Sequence, residues 1–168
     1  MALRNPDWDS IVDQHAERVF RIAYRILGSV HDAEDVSQNV FAEAFRMHQS
    51  ESVKTWTGLL IRLSTLRSID LLRSHKGVLR INEGDRVSPH GPEEEVAGKE
   101  LAAWLRDAAS QLPEQQAAVF ALTHYEQLDR NEIAATLSIS PESVSSTLYK
   151  ARQNLKSQLS VLEGGQQS

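Results

Sequence analysis

The chain has 168 residues, enough for one domain or two small ones, and its 40% apolar residues are sufficient for cores. Eighteen Lys and Arg stand against 23 Asp and Glu, and the net charge of −5 argues against a free-standing nucleic-acid binder. With no cysteine, disulfides, thiolate nucleophiles and cysteine-ligated zinc are excluded.

At the N-terminus, "MALRNPDWDS" lacks the basic-then-apolar pattern of a signal peptide, and no later apolar run approaches the roughly 18 residues of a membrane span. These features describe a soluble cytoplasmic protein with no membrane contact. A first helix is predicted from about Asp9 to Leu27, where Ile11, Val12, Val19, Ile22, Ala23 and Ile26 fall near helical spacing and Gly28 supplies the stop. A second starts near Asp32, taken as its N-cap, and directs Ala33, Val36, Val40, Phe41, Ala44 and Phe45 inward. The third, roughly Thr57 to Ser74, presents Leu59, Leu60, Leu63, Leu66 and Ile69.

Lys76 to Gly98, "KGVLRINEGDRVSPHGPEEEVAG", holds six of the thirteen glycines and prolines, an acidic run, and no sustained apolar period. It reads as a flexible linker between residues 1–75 and a second unit at 99–162, with 163–168 a disordered tail; an ordered surface loop is the alternative. The two units are expected to move independently unless they close directly on each other, since each has an apolar side to cover. Beyond the linker, Glu100 to Ala109 forms a helix, and Pro113 opens another that buries Val119, Phe120 and Leu122.

Asp129 and Glu132 have the spacing of a capping box ahead of Ile133, Ala134 and Leu137. "SISPES" then turns the chain, with Ser140 as N-cap and Pro141 in the first turn. The last helix carries Val144, Leu148, Ala151, Leu155, Leu159 and Leu162 on one side. Its other side holds Ser145, Ser146, Tyr149, Lys150, Arg152, Gln153 and Lys156. The pair is a helix-turn-helix, or a plain helical hairpin; three basic and no acidic residues from Ser145 to Lys156 favour the DNA-facing reading. The whole is all-α, two small helical domains with a helix-turn-helix in the second.

Nothing looks catalytic. The six histidines are scattered without metal-site spacing, and there is no glycine-rich phosphate loop or nucleophile elbow. His31, Asp32, Glu34 and Asp35 suit a metal in composition, but acidic residues in a first helical turn are favoured by the helix dipole alone. No enzyme, cofactor or metal is expected.

In order along the chain, "DAEDVSQNVF", "IRLSTLRSIDLLR", "LPEQQAAVFAL", "NEIAATLSIS" and "SVSSTLYKARQNL" resemble the extracytoplasmic-function sigma factors. The resemblance implies that Asp32, Glu34, Asp35, Gln38 and Asn39 meet the β′ clamp helices of RNA polymerase core, and that the second domain meets the β flap. It implies promoter contacts as well. Trp56 is a stacking surface for a flipped base of the minus-ten element, or alternatively core. Arg62, Arg67 and Arg73 are phosphate contacts, and Ser145, Ser146, Tyr149, Lys150, Arg152 and Gln153 face the minus-thirty-five element. An anti-sigma factor is a further implied partner. Where the family often has tryptophan, asparagine, arginine, lysine and arginine, this chain has Leu59, Leu66, Ala117, Ser145 and Thr147. Two rivals follow: a sigma-like protein that binds polymerase or a regulator without reading promoters, and a stand-alone helix-turn-helix regulator.

Overall fold

The computed structural model describes residues 7–50, 53, 55–75 and 96–165. Among them are seven helices and no strand: α1 (Trp8–Leu27), α2 (Val30–Ser50), α3 (Trp56–His75), α4 (Val96–Ser110), α5 (Glu114–His124), α6 (Arg130–Leu137) and α7 (Pro141–Gly165). Residues 76–95, which carry most of the expected linker, lie outside the described residues, as do 166–168 of the expected tail. Helix α4 begins inside the expected linker, and α7 runs three residues past Leu162.

Helices α1 to α3 form the first unit around Val19, Ile22, Ala23 and Ile26 of α1, Ala33, Val36, Val40 and Ala44 of α2, and Leu60, Leu63, Ile69 and Leu72 of α3. Phe45, expected inside, is 38% exposed because it lies edge-on to Trp8 at 5.0 Å, at the end of the bundle. The N-cap of α2 is Ser29 rather than Asp32: its Oγ accepts from the Asp32 amide at 3.2 Å, which leaves the Asp32 carboxylate free for another partner. Helix α3 also buries Ser64, Thr65 and Ser68 completely. Each hydroxyl donates back to a carbonyl four residues earlier, at 2.6 to 2.7 Å, so these polar groups enter the interior satisfied.

The second unit packs α4, α5 and α7 around Ala108, Ala109, Leu112, Ala117, Phe120, Ala151 and Leu155. Leu159, expected on the packed side of α7, is 37% exposed, since the buried stripe ends at Leu155. Asp129 and Glu132 make the capping box, both bonds at 2.8 Å. Ser138 turns the chain in the left-handed region (φ 56°), and Ser140 Oγ accepts from the Ser143 amide at 3.1 Å to start α7.

The two units do not stand apart. Every residue from Ala117 to Leu122 is buried, because α5 is covered by its own unit on one side and by α1 and α3 on the other. Ala118, Val119, Ala121, Leu122, Ile133, Ala134 and Val144 thereby join the core of the first unit. The structure shows the direct closure that the expectation of independent movement excepted, and the physical reason is that a helix apolar all round must be covered all round.

Gly28 sits in this closure. Its φ of +72° is the left-handed C-terminal geometry, and a Cβ there would meet Ser110 Oγ of α4 at 2.6 Å. Gly28→Ala therefore carries both backbone strain and a clash across the unit boundary, and should lower stability by about 2 kcal/mol in thermal unfolding. Adding Ser110→Gly should recover the clash part of that loss and leave the backbone part.

Candidate functional site

The row on α2 follows from helical spacing. Ala33, Val36, Val40 and Ala44 face the bundle, which turns Glu34, Asp35, Gln38 and Asn39 outward, all exposed. Glu34, Gln38 and Asn39 make no side-chain hydrogen bond or ion pair within the described residues. Asp35 lies 3.5 Å from His31 Nε2, a solvated pair of little weight. Asp32 departs from the row: it is half-buried and its Oδ2 lies 3.7 Å from His75 Nε2 of α3. His31 and Asp35 thus pair with each other, Asp32 turns to His75 and Glu34 has no partner among the described residues, where no group of three or more His, Asp or Glu is arranged to hold a metal ion.

Trp56 is half-buried in an aromatic group at the start of α1 and α3 and the end of α2. It is edge-on to Trp8 at 5.7 Å and to His48 at 5.2 Å. The three arginines of α3 have separate fates. Arg67 is clamped: its Nε and Nη2 donate to both oxygens of Glu43 at 2.8 Å, and Nη1 donates to Asp70 at 2.7 Å. The hydrogen bonds to Glu43 raise the guanidinium above its ordinary value against the opposing effect of burial, and hold the Glu43 carboxyl below the usual 4.5. Because the folded Glu43 pKa is depressed, the pair's stabilisation is complete above about 4.5 and is lost as pH falls through the lower folded value. Arg67→Gln should flatten acid unfolding in that window, as read by circular dichroism against pH.

Arg62 and Arg73 instead reach across the unit boundary. Arg62 donates to the Ala135 carbonyl at 3.1 Å and to Ser138 Oγ at 3.3 Å, at the C-terminal end of α6, where free carbonyls favour a cation. Arg73 Nε lies 3.4 Å from Glu114 Oε1. Sequence reasoning missed the other members of this boundary. Glu126, just after α5, has a side chain only 3% exposed and accepts from Arg18 Nε at 2.9 Å and Arg21 Nε at 3.0 Å. Its hydrogen bond to Arg21 raises that guanidinium. Beside them the Arg25 guanidinium lies 4.0 Å over the Tyr125 ring, and burial lowers its pKa. Its Nε and Nη1 have no hydrogen-bond partner, so the ring face is what compensates its charge.

On α7, Ser145, Ser146, Tyr149, Lys150, Arg152 and Gln153 are all exposed, Tyr149 by 66%. Ser146, Tyr149, Lys150 and Gln153 form one stripe at steps of three, one and three. Ser145 Oγ accepts from Arg130 Nη1 of α6 at 3.3 Å, which adds a fourth basic residue beside the row. Arg152 Nη2 lies 3.4 Å from His124 Nε2, and burial, with Arg152 adding to it, lowers the His124 pKa below 6.5. A neutral ring can accept from Arg152 and hold its guanidinium at the edge of the face.

A sigma-70 region 2 model matches residues 11–77, the three helices of the first unit, and a sigma-70 region 4 model matches 102–155, the helix-turn-helix unit. The chain is 37% identical over 160 residues to the ECF RNA polymerase sigma factor SigE of Mycolicibacterium smegmatis, spanning 92% of this chain and 62% of that protein. The chain belongs to the extracytoplasmic-function sigma-factor family. A second member, SigW of Bacillus subtilis, is 28% identical over 165 residues, 89% of this chain and 87% of that one. The fold is shared with the sigma factor RpoE of Bartonella quintana, solved with the anti-sigma factor NepR (TM-score 0.69, 16% identity, 92% of this chain and 98% of that chain). Within an ECF sigma factor the order of the two matched regions is that of the two helical units, and no described helix is long and apolar enough to cross a membrane.

Proposed function

We propose that the chain is a sigma subunit that binds RNA polymerase core and directs it to promoters, acting in the cytoplasm and catalysing nothing itself. The observation that carries this reading is the pairing of two exposed polar rows on the two matched units: Glu34, Asp35, Gln38 and Asn39 on α2, and Ser146, Tyr149, Lys150 and Gln153 on α7. The α2 row, with Asp32 at its edge, presents carboxylates and amides to basic and polar groups of the β′ clamp helices. The second unit meets the β flap, and Ser145, Ser146, Tyr149, Lys150, Arg152 and Gln153 face the minus-thirty-five element. Trp56 offers a stacking surface at the minus-ten element, and Arg62 and Arg73 bind phosphate once released from α6 and α5. By likeness to the protein solved with an anti-sigma factor, a regulator of that kind is a further partner. The units 1–75 and 99–162 divide these tasks.

Run-off transcription with core polymerase plus the purified chain, followed by sequencing of the transcripts, tests the reading. Transcripts sharing a common upstream element are expected; their absence despite tight core binding would establish a second reading. In that reading the chain is a sigma-like polymerase binder that does not read promoters. It is favoured by Leu66, which cannot hydrogen-bond a base, and by the engagement of Arg67 with Glu43 and Asp70.

A further inference from the structure

Two arginines at the edge of the α7 face differ from the ion-paired arginines of α1 and α3. Arg18, Arg21, Arg67 and Arg73 each face a carboxylate, which offsets their charge. Arg130 Nη1 donates instead to the hydroxyl of Ser145 at 3.3 Å, and Arg152 Nη2 lies 3.4 Å from Nε2 of His124. Neither arginine meets an acidic side chain among the described residues. The two acceptors are fixed by the unit itself. His124 ends α5, and its ring lies 4.4 Å from that of Phe120, which is buried with Ala151 and Leu155 of α7. Partial burial, with Arg152 adding to it, lowers the His124 pKa below 6.5, so near neutral pH the ring accepts without adding a charge. Ser145 and Arg152 share one side of α7, two turns or about 10 Å apart along its axis. Each guanidinium commits a single nitrogen to its acceptor, and the rest of the fork stays open to solvent.

We infer that Arg130 and Arg152 form a phosphate clamp along one flank of α7, aimed by Ser145 and His124 respectively. The clamp rests on the sigma-subunit reading of this face and deepens it. Arg130, from the helix before the turn, joins the DNA contacts, while Ser145 and His124 become positioning residues that read no base. A neutral acceptor suits that task, because it orders a long side chain before binding without cancelling the charge that the phosphate is to meet. A carboxylate in either place would compete with phosphate for the same fork.

Salt titration of the full chain on a random-sequence duplex, starting from about 50 mM salt where phosphate contacts are strong, reads the clamp without polymerase. Arg130→Gln and Arg152→Gln should each lower the salt slope by about 1. His124→Leu and Ser145→Ala should each weaken binding about threefold at fixed salt, the scale of freeing one long side chain. Each loss should shrink to less than about 1.5-fold when the arginine concerned is already glutamine, His124→Leu with Arg152→Gln and Ser145→Ala with Arg130→Gln. His124→Gln and Ser145→Thr keep an acceptor and should bind as the native chain does. Losses that persist in the glutamine backgrounds would make His124 and Ser145 either DNA contacts or parts of the fold, and overturn the positioning role. So would an unchanged slope in Arg130→Gln, or no duplex binding even at about 50 mM salt. Duplex binding that responds as expected without promoter-specific run-off transcripts would count against promoter reading and leave the clamp standing.

Discussion

Replacing Asp35 by alanine should weaken binding to polymerase core by about five- to 150-fold, and replacing Gln38 should do the same, about 1–3 kcal/mol each. Both side chains lie on the outer row of α2, away from Val36 and Val40, so neither change opens a cavity. Alanine is also the strongest helix former, so the helix itself does not suffer. The pair Asp35 makes with His31 is exposed on both sides and its loss costs the fold little. Helical content and unfolding midpoint should therefore match the native chain while the core titration shifts. The closed arrangement leaves this row open, so the effect should appear without any need to part the two units. Affinity unchanged in both variants would place the contact elsewhere and remove the main support for a polymerase handle on α2.

Local signals in the sequence carried most of the helices, because caps and turns are written in single residues. Asp129 with Glu132, Ser140 before Pro141, and Gly28 at the end of α1 all stand where their chemistry requires. Asp32 misled because two capping residues, Ser29 and Asp32, are three apart, and the earlier one takes the role. What stayed hidden was mostly long-range. Glu126 meets Arg18 and Arg21 across more than 100 residues, and no spacing rule predicts a pairing of that kind. The closure did leave one trace. "AAVFAL" is apolar without interruption from Ala117 to Leu122, a pattern for a helix covered on every side rather than for one on the surface of a small free domain. The hydroxyls in "LSTLRSI" hid part of the buried face of α3, since Ser64, Thr65 and Ser68 are polar yet turn inward with their hydrogen bonds satisfied along the helix. Arg67 looked like a free cation for the same reason that Glu126 escaped notice: its partner Glu43 lies on another helix.

The face of α7 bears the other large expected effect. From Leu112 to the end the chain has four basic residues, Arg130, Lys150, Arg152 and Lys156, against six acidic ones, so this unit carries net negative charge. Affinity for DNA comes largely from phosphate neutralisation, and about three basic groups at the duplex imply a salt slope of only about −3. Alone, the unit should bind promoter DNA barely at physiological salt. Held against the groove by polymerase, the same helix needs no such affinity, because the second contact becomes intramolecular and the tether supplies effective concentration. Selectivity is then carried by few groups, and each matters. Lys150 is exposed and makes no ion pair within the described residues, while Arg152 is steadied by the His124 ring at 3.4 Å. Lys150→Ala and Arg152→Ala should each cut run-off transcription while core binding is retained, and each should reduce the holoenzyme's salt slope on promoter DNA by about 1. The loss should be nearly uniform across promoters for a residue that touches only phosphate, and concentrated at particular bases for Ser146→Ala or Gln153→Ala. Tight binding of a minus-thirty-five duplex by the free chain in an ionic-strength titration, weakened by Lys150→Ala, would contradict the tethered arrangement, because it would mean that this acidic unit with four basic residues supplies the affinity without polymerase.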